Sequence, residues 1–544
     1  MKKGLFIVMF ALLLAVSFTA AQEQVVINSR DWQDVYSGML YSALNDLPGN
    51  YPIEETRARL LLDTLDKEKE EVLLIEGDNP YISNFRGELQ SDYNVELLDY
   101  SESVNLELAQ NFSKFIVMDS RFAYNAVSLA PFASMKGHYV LFANADNINE
   151  ITQLLDENAE EVIRYGYVDR EVSEALEEFN PEIINEGSKY ENNIEITEKF
   201  IEEKNPRQFI LTNGQIIEPQ IFTGKHPVVF IGKSNIPELT MEFLKESEIK
   251  HAVLIGNELT ELASTLKKEA DMKIMVKFAK GINKEKYTLD IFELPTPDYN
   301  PRVSQAFYNT LTDELVITLE NEGPTPTIVK GSYSVRQDNT TIATVGDEDP
   351  QFIPGNGILT RTYETEIEED KINIKADIVY GEDVNSLEEL NVQTTPLEFI
   401  EINDQTNVSF EKIHYDKAIK RFVIDVKNTG EDTVFITGYI NQFLLNEREQ
   451  RLSTDKIIEI APGETGTFKI KADLTPLDIE ENEEINLQFR YGAQENILLK
   501  EHEETTELVV KTSAGKYIII GGAAFLVAML LIFAGWRAKK KKQS

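Results

Sequence analysis

One phrase of thirteen residues occurs three times along this 544-residue chain. It reads EVLLIEGDNPYIS at 71–83, EVIRYGYVDREVS at 161–173 and HAVLIGNELTELA at 251–263. In each copy an apolar run typical of a buried strand is followed by a glycine and the start of a helix. The loop residues differ between copies, which favours a structural joint over a nucleotide-binding turn. A repeat at about 90 residues therefore predicts three similar units in tandem.

Other elements recur in the same order within each unit. Each unit opens with a continuous apolar strand, and such runs are typical of parallel sheets covered by helices on both faces. The second strand is weak in the first unit, and the third unit has little room for a helix after its first strand. We therefore predict an α/β module over 22–292, with units of about 24–113, 114–206 and 207–292.

The pattern changes after a proline-rich joint at 293–301. Alternating strands broken by Gly, Asn and Pro predict two immunoglobulin-like β-sandwiches, at 302–395 and 396–512. Both contain a strand, an Asn-x-Gly turn and a second strand, in LENEGPTPTIV and VKNTGEDTVFI. This indicates a second, weaker internal repeat.

Both ends of the chain carry targeting signals. Residues 1–21 combine an early basic pair with an apolar run, as in a signal peptide cut before Gln22; an uncleaved membrane anchor is the alternative. Residues 517–536 form an uncharged apolar span long enough to cross a bilayer, and the basic tail 537–544 follows at once. These signals predict a single-pass cell-membrane protein with a large extracellular region and a short cytoplasmic C-terminus.

The charge and cysteine content exclude several classes of function. The formal net charge is -40, from 93 Asp+Glu against 53 Lys+Arg, which argues against nucleic acid as a partner. The chain has no cysteine, so disulfides, a thiol nucleophile and thiolate metal sites are excluded.

Several features of the α/β repeat resemble those of a known family. The strand before Asp119-Ser120-Arg121, the small-residue helix 123–133 and the recurring strand-and-helix phrase resemble the type 2 cell wall-binding repeat of prokaryotic surface-layer proteins. The resemblance implies three flavodoxin-like units around a pseudo-threefold axis. The β region, chiefly in VKNTGEDTVFI and IAPGETGTFKI, resembles the adhesion-related (CARDB-type) domains of archaeal and bacterial surface proteins. Together these features resemble a membrane-anchored surface-layer-type protein of archaea or other prokaryotes.

The best location for a ligand is the end of the opening strands, where open α/β sheets bind small molecules. This points to Asp119, Ser120, Arg121 and Asn213 as candidate ligand-binding residues; loop capping and packing between units explain the same residues structurally. No HExxH, GxSxG or phosphate-binding loop occurs, and histidines recur at strand entries, which favours a structural role for them. No catalytic residue is predicted.

The acidic pairs lack the spacing of a calcium loop, so they predict a solvated surface, and neither a metal site nor a cofactor is predicted. Three sequons, at Asn111, Asn339 and Asn407, are candidate glycosylation sites.

The sequence favours a non-enzymatic surface protein, an S-layer, cell-envelope or adhesion component that presents the α/β module on a β-sandwich stalk. Its predicted partners are the membrane, a cell-envelope polymer and neighbouring surface proteins. A receptor for a small solute or glycan at the strand carboxyl ends is the alternative. A secreted hydrolase would require a convergent acid–base pair in one cleft.

Overall fold

The chain consists of two compact units that meet in sequence between Thr296 and Pro297, and each is described by itself. The first is an α/β region with parallel sheets and the second is all-β, as the sequence predicts. The computed structural model describes residues 22–52, 61–63, 65–98, 103–256, 258–277, 291–337, 340–367, 372–446, 448–454, 456–511 and 517–519.

The first parallel sheet has the strand order β2-β1-β3-β4. All five residues of β1 are buried, as a strand covered on both faces requires. The second strand is only two residues long, in agreement with its weak signal in the sequence. The elements are β1 (Gln24–Asn28), α1 (Trp32–Leu44), β2 (Gly49–Asn50), β3 (Glu71–Glu76), α2 (Phe85–Leu89), β4 (Asn94–Leu97) and α3 (Val104–Ala109).

The second parallel sheet repeats this order as β6-β5-β7-β8. Its helix α7 begins at a capping box, in which Ser188 accepts from the amide of Glu191 and the Glu191 side chain accepts from the amide of Ser188. The elements are β5 (Lys114–Asp119), α4 (Ala123–Lys136), β6 (Tyr139–Ala143), α5 (Ile148–Asn158), β7 (Glu161–Tyr165), α6 (Arg170–Leu176), β8 (Glu182–Ile184) and α7 (Lys189–Glu203).

The third parallel sheet has the order β11-β9-β12-β13. A short 3-10 helix, Pro219–Thr223, replaces the helix after its first strand, because the connecting segment has little room for a longer one. A separate antiparallel pair, β10 and β14, joins residues after β9 to the end of the module. The elements are β9 (Phe209–Thr212), β10 (Ile216–Ile217), β11 (Val228–Phe230), α8 (Glu238–Glu246), β12 (His251–Ile255), α9 (Leu262–Glu269), β13 (Lys273–Lys277) and β14 (Phe292–Glu293).

Buried asparagines connect consecutive sheets. Asn105 on α3 donates to the carbonyl of Val140 (2.8 Å) and accepts from the amide of Phe142 (3.2 Å), both on the edge strand β6. Asn193 on α7 makes the same two bonds to the next edge strand, β11, at 3.0 and 2.9 Å. We call these two residues the asparagine clamps. Each clamp supplies a donor and an acceptor to a strand edge that has no neighbouring strand.

Aromatic packing fills the space between the sheets. Tyr36 on α1 contacts Phe142 of the second sheet and Phe222 of the 3-10 helix in the third unit, with ring centroids 5.7 and 5.1 Å apart. One continuous apolar core therefore joins residues of all three sheets. Burial of each large apolar side chain stabilises the fold by roughly 1.5–3 kcal/mol, so this shared core holds the three units as one body.

The first half of the all-β unit consists of two sheets, β20-β16-β15-β23 and β18-β17-β21-β22, with β19 paired to β17. Strand β23 pairs with β15, so residues 398–400 belong with these sheets although the predicted boundary was at 395. The strands are β15 (Pro301–Asn309), β16 (Glu314–Asn321), β17 (Thr327–Gln337), β18 (Thr340–Gly346), β19 (Gln351–Ile353), β20 (Ile358–Glu364), β21 (Ile372–Gly381), β22 (Leu387–Pro396) and β23 (Glu398–Ile400).

The second half is built in the same way from sheets β29-β25-β24-β32-β33 and β27-β26-β30-β31, with β28 paired to β26. It has its own apolar core. The elements are β24 (Val408–Asp416), β25 (Arg421–Asn428), β26 (Val434–Leu445), β27 (Arg448–Ser453), β28 (Ile458–Ile460), β29 (Thr465–Lys471), α10 (Pro476–Glu481), β30 (Glu484–Gly492), β31 (Lys500–Glu507), β32 (Val509–Lys511) and β33 (Tyr517–Ile519).

The two Asn-x-Gly turns of the β unit make matching contacts. Asn321 Nδ2 donates to the carbonyl of Pro354 (3.2 Å), and Asn428 Nδ2 donates to that of Ile460 (2.9 Å). Each Oδ1 accepts from the glycine amide two residues later, at 3.2 and 2.9 Å. The sequence similarity between the two halves therefore corresponds to one repeated buried turn.

Buried polar contacts join the two halves of the β unit. Arg490, only 2% exposed, donates from Nε to Glu501 (2.9 Å) and from Nη1 to the carbonyl of Phe352 (3.2 Å). The amide of Leu498 donates to Thr360 Oγ1 (3.2 Å). These contacts fix one half against the other.

The predicted targeting segments fall almost entirely outside the described residues. This holds for the signal peptide 1–21, the basic tail 537–544 and all of the predicted span except 517–519. Those three residues form β33, antiparallel to β32, where the sequence predicts the start of a helix. In the part of the chain that the structure describes, no helix is long and apolar enough to cross a membrane.

We expect Asn193→Ala to destabilise the α/β unit by about 1–3 kcal/mol, because it leaves the buried amide of Phe230 on β11 without its partner, whereas Thr197 still donates to the carbonyl of Val228. Urea unfolding of the full chain, followed by helical circular dichroism, measures the change. Asn149→Ala, on the exposed face of α5, is the matched control and should shift the midpoint little. Equal midpoints for the two variants would contradict a stabilising role for the clamp.

Candidate functional site

The carboxyl ends of β5 and β7 define the most distinctive polar site of the α/β unit. From β5 the chain passes first to β6 on one side and later to β7 on the other, so β5 and β7 flank the switch point of the sheet. Parallel sheets bind ligands in the crevice at this position. The predicted residues Asp119, Ser120 and Arg121 follow β5 here.

An arginine between two carboxylates occupies this crevice. Arg121 donates from Nε and Nη2 to Asp119, with Nη2 2.5 Å from Oδ2, and its backbone amide donates to Oδ1 at 2.8 Å. The same Nη2 donates to Asp169 Oδ1, after β7, at 2.6 Å. Asp119 is 1% exposed and Arg121 is 55% exposed. The carboxylate is therefore buried under the arginine, whose outer surface contacts solvent.

The charges of this cluster largely compensate one another. Hydrogen bonding to Asp119 is the main cause that raises the pKa of Arg121, against the opposing effect of burial. An anionic ligand would have to compete with two carboxylates for the guanidinium. The arrangement therefore ties the β5 loop to the β7 loop and does not offer an unoccupied cation to an anion.

A group of half-buried aromatic rings surrounds the arginine. The guanidinium lies 5.8 Å from the centroid of Phe122, which contacts Tyr124 and Tyr167 at 6.0 and 6.1 Å. The ammonium of Lys189, at the start of α7, lies 4.9 Å from the Tyr124 ring. Rings beside a few fixed polar groups are typical of binding sites for small organic ligands.

The remaining predicted residue, Asn213, belongs to a different turn. Its Nδ2 donates to Gln215 Oε1 (3.0 Å) and its Oδ1 accepts from the Gln215 amide (3.1 Å), so the side chain stabilises its own turn. A Cβ on the adjacent Gly214 would lie 3.3 Å from Tyr124 Cβ. The turn therefore packs against the aromatic group, but Asn213 takes no part in the Asp119–Arg121–Asp169 cluster. Ser120 lies half-buried in the turn between Asp119 and Arg121.

In the first sheet, the loops after the first and third strands are also joined by an arginine, but through different partners. The amide of Arg30 donates to the carbonyl of Asn79 (2.9 Å), and its guanidinium lies 4.4 Å from the centroid of Tyr81. Arginine after the first strand therefore contacts the loop after the third strand in both sheets. The recurrence indicates a loop-joining role.

The glycine of the recurring phrase is required by close packing in the first copy. A Cβ at Gly77 would collide with Ser29 Oγ and Asp34 Oδ2, which are hydrogen-bonded to each other at 2.6 Å. In the second copy, Gly166 has a φ of +69°, a conformation that side chains other than glycine rarely adopt. Both glycines serve the joint between strand and loop.

Histidine at a strand entry is buried in the second sheet. His138 is fully buried, with Nε2 3.2 Å from Glu161 Oε1 and its ring 5.9 Å from that of Phe132. Burial lowers the pKa of His138, the largest of several causes. Its neighbours are those of a core residue.

Several side chains of the site were not predicted. Phe122, Tyr124, Tyr167 and Asp169 stand beside predicted residues or in the second copy of the recurring phrase, YGYVDR. The phrase was interpreted as a joint because its loop differs between copies. That same divergence, which places Tyr167 and Asp169 in the loop of the second copy, was the available signal.

The sequons differ in their surroundings. Asn111 and Asn407 are exposed, and Asn407 Oδ1 accepts from the amide of Val408 at 3.0 Å. Asn339 lies outside the described residues.

No protein-family model matches the chain. A search of curated proteins finds no relative. Solved structures with partial similarity include Cwp6 from Clostridium difficile, with 16% identity and a TM-score of 0.34 over 43% of this chain and 41% of that chain. They also include the YadV chaperone, with 14% identity and a TM-score of 0.14 over 39% of this chain and 100% of that chain. The Escherichia coli alpha-2-macroglobulin has 10% identity and a TM-score of 0.14 over 40% of this chain and 23% of that chain. The chain thus spans less than half of Cwp6, and at these scores the similarities carry no inference about function.

Asp34 should make the stability of the α/β unit depend on pH. Burial raises its pKa to about 6, with Asp31 and Asp78 adding to the effect and the Ser29 hydrogen bond opposing it. A raised carboxyl pKa contributes stability that is complete below the unfolded value, near 4, and is lost as pH rises through about 6. The Asp34→Asn variant should therefore gain melting temperature relative to the natural protein as pH rises from 4 to 8.

Thermal unfolding of the full chain at both pH values tests this. Asp156→Asn, at an exposed position on α5, is the control and should show no such trend. A difference between Asp34→Asn and the natural protein that is the same at pH 4 and pH 8 would contradict the expectation.

Proposed function

We propose that this chain is a non-enzymatic, membrane-anchored cell-surface protein, an S-layer, cell-envelope or adhesion component. In this proposal a signal peptide exports the chain and a single C-terminal helix holds it in the membrane. The β region then acts as a stalk, and the α/β module is presented outward to an envelope polymer or to neighbouring surface proteins.

One observation carries the non-enzymatic part of the proposal. The polar side chains at the switch point, where an α/β enzyme would hold its substrate, are bonded to one another: Arg121 to Asp119 and Asp169. Asn213 is bonded within its own turn. Groups used in this way join loops and are not arranged around a reacting atom.

The architecture supports presentation on a stalk. The two β halves are fixed to each other by Arg490 and by the Leu498–Thr360 bond, as a spacer of constant length requires. We propose that these halves are immunoglobulin-like domains of the CARDB type. We also propose that the three parallel sheets are flavodoxin-like copies of the type 2 cell wall-binding repeat, in a surface protein of archaea or other prokaryotes.

The surface charge restricts the partner. With a net charge of -40, the chain would repel an anionic wall polymer unless cations bridged the two. A neutral glycan or a protein with cationic groups fits this surface better.

Protease treatment of intact cells tests the topology. In cells that produce the full chain, external protease should remove an epitope within 22–292 and leave a tag after Ser544 protected on a short membrane fragment. A cytoplasmic protein is the control for cell integrity. Survival of the 22–292 epitope on intact cells, together with its loss after lysis, would contradict the proposed orientation.

A second candidate function is supported by the aromatic group beside Arg121. Phe122, Tyr124 and Tyr167 offer half-buried rings next to a solvent-facing guanidinium. Rings and a few polar groups of this kind would suit a small solute or glycan. In this alternative the module is a surface receptor with its site at the strand carboxyl ends.

A thermal-shift screen of the full chain against neutral and acidic sugars, nucleotides and divalent ions tests the receptor. A ligand present at 100 times its Kd should stabilise the folded protein by about 2.7 kcal/mol and raise the melting temperature by several degrees. Tyr167→Ala should lose the shift, whereas Arg302→Ala in the β unit should retain it. A screen without any shift, or a shift equal in all variants, would remove this candidate.

A further inference from the structure

One asparagine of the second unit is buried without a partner for its side-chain oxygen. Asn125, on α4, is only 3% exposed, and its Oδ1 accepts no hydrogen bond from the described residues. A fold gains nothing from such a group, because a buried acceptor loses its hydrogen bonds to water and receives none in return. A ligand that donates to Asn125 would recover that loss.

The corresponding side chain of the first unit does have a partner. Asp34 is the third residue of α1, as Asn125 is the third residue of α4. Both lie against the glycine of the recurring phrase: a Cβ on Gly77 would collide with Asp34 Oδ2, and a Cβ on Gly166 would lie 2.7 Å from Asn125 Nδ2. Asp34 accepts from Ser29 Oγ at 2.6 Å. In the second unit the described residues supply no such partner for the Asn125 oxygen.

Asn125 lies at the crevice between the carboxyl ends of β5 and β7. Its backbone amide donates to the carbonyl of Phe122, in the loop after β5, at 2.9 Å. Its Nδ2 lies beside Gly166, the residue after β7, and Asn192 Nδ2 lies 3.9 Å from the Cβ position of the same glycine. Because Gly166 carries no side chain, two carboxamide NH₂ groups border a space that its Cβ would otherwise fill.

The groups around this space favour a neutral polar ligand. The rings of Phe122, Tyr124 and Tyr167 are half-buried and stand next to Asn125 or Gly166 in the sequence. The charge of Arg121 is compensated by the two carboxylates to which it donates. An acidic ligand would therefore meet carboxylates before it met an available cation, in a chain whose net charge is -40.

We propose that Asn125 binds a hydroxyl group of a neutral sugar in the crevice between β5 and β7. The carboxamide would accept a hydrogen bond at Oδ1 and donate one at Nδ2, and a sugar offers hydroxyl groups that do both. The apolar face of the sugar ring would pack against the half-buried tyrosines. This inference deepens the receptor alternative, on which it rests, by naming the ligand class and the residue that selects it.

Isothermal titration calorimetry of the full chain, in a detergent without a sugar headgroup, tests the binding. Neutral disaccharides of glucose, galactose and mannose are the probes, and glucuronic acid and adenosine represent other ligand classes. At least one neutral sugar should bind. Asn125→Ala should weaken its Kd about tenfold, which corresponds to about 1.4 kcal/mol. Asn149→Ala, at an exposed position on α5, is the matched control and should keep the natural Kd.

Thermal unfolding without ligand separates a binding role from a structural one. Asn125→Ala should leave the melting temperature nearly unchanged, because the Asn125 oxygen has no hydrogen bond to lose. Asn193→Ala, which removes a bonded carboxamide of similar burial, should lower it by several degrees. Asn125→Leu keeps the branched shape of the side chain and covers the case in which alanine leaves a destabilising cavity.

Three results would overturn the inference. One is a neutral sugar that binds Asn125→Ala and Asn125→Leu as tightly as the natural chain, and another is binding of glucuronic acid or adenosine alone. The third is a loss of melting temperature in both Asn125 variants as large as in Asn193→Ala, which would identify a structural residue. The first two results leave the receptor standing. A chain that binds none of the probes would remove the receptor itself, and this inference with it.

Discussion

The α/β unit depends on a carboxamide side chain that substitutes for a missing strand. At the edge of a sheet, backbone amides and carbonyls have no neighbouring strand, and burying them unpaired costs about 1–3 kcal/mol each. Asn105 and Asn193 reach from the helix that ends one unit and bond a carbonyl and an amide on the edge strand of the next. Because asparagine carries one acceptor and an NH₂ donor, one side chain satisfies both groups.

The clamps also explain how three small sheets form one body. Each sheet has only four strands, two of them at the edges. The edge strands β6 and β11 are covered by helices from the preceding unit, which bring apolar residues into the shared core beside the asparagine. Within this core, Tyr36 contacts one ring from each of the other two units, Phe142 and Phe222. Polar pairing at the edge and apolar packing at the centre therefore depend on the same placement of helices.

Sequence patterns were sufficient for the larger features of the fold. Continuous apolar runs predicted the parallel sheets, and alternating runs predicted the β region, since burial on one or both faces sets these patterns directly. The Asn-x-Gly turns were also recognisable, and Asn321 and Asn428 occupy equivalent buried turns. Because each of these asparagines bonds the glycine amide two residues later, the turn can be recognised from a short stretch of sequence.

The clamps and the complete site could not be predicted in this way. Asn105 and Asn193 are polar residues on amphipathic helices, where an isolated asparagine is usually exposed, and their partners are distant in the sequence. Asp169 joins Arg121 across 48 positions, so no spacing rule relates the two. Asp119 was predicted from its place after a strand, but its burial under Arg121 follows from how the loop closes.

The two clamps have the same order along the chain. In both cases the asparagine comes earlier in the chain than the edge that it covers: Asn105 precedes β6, and Asn193 precedes β11. During synthesis, the helix that carries each asparagine therefore emerges before the edge strand that it covers. The last helix of one unit therefore presents the side chain that pairs with the edge strand of the following unit. A further unit inserted after such a helix would find the same donor and acceptor for its own edge strand.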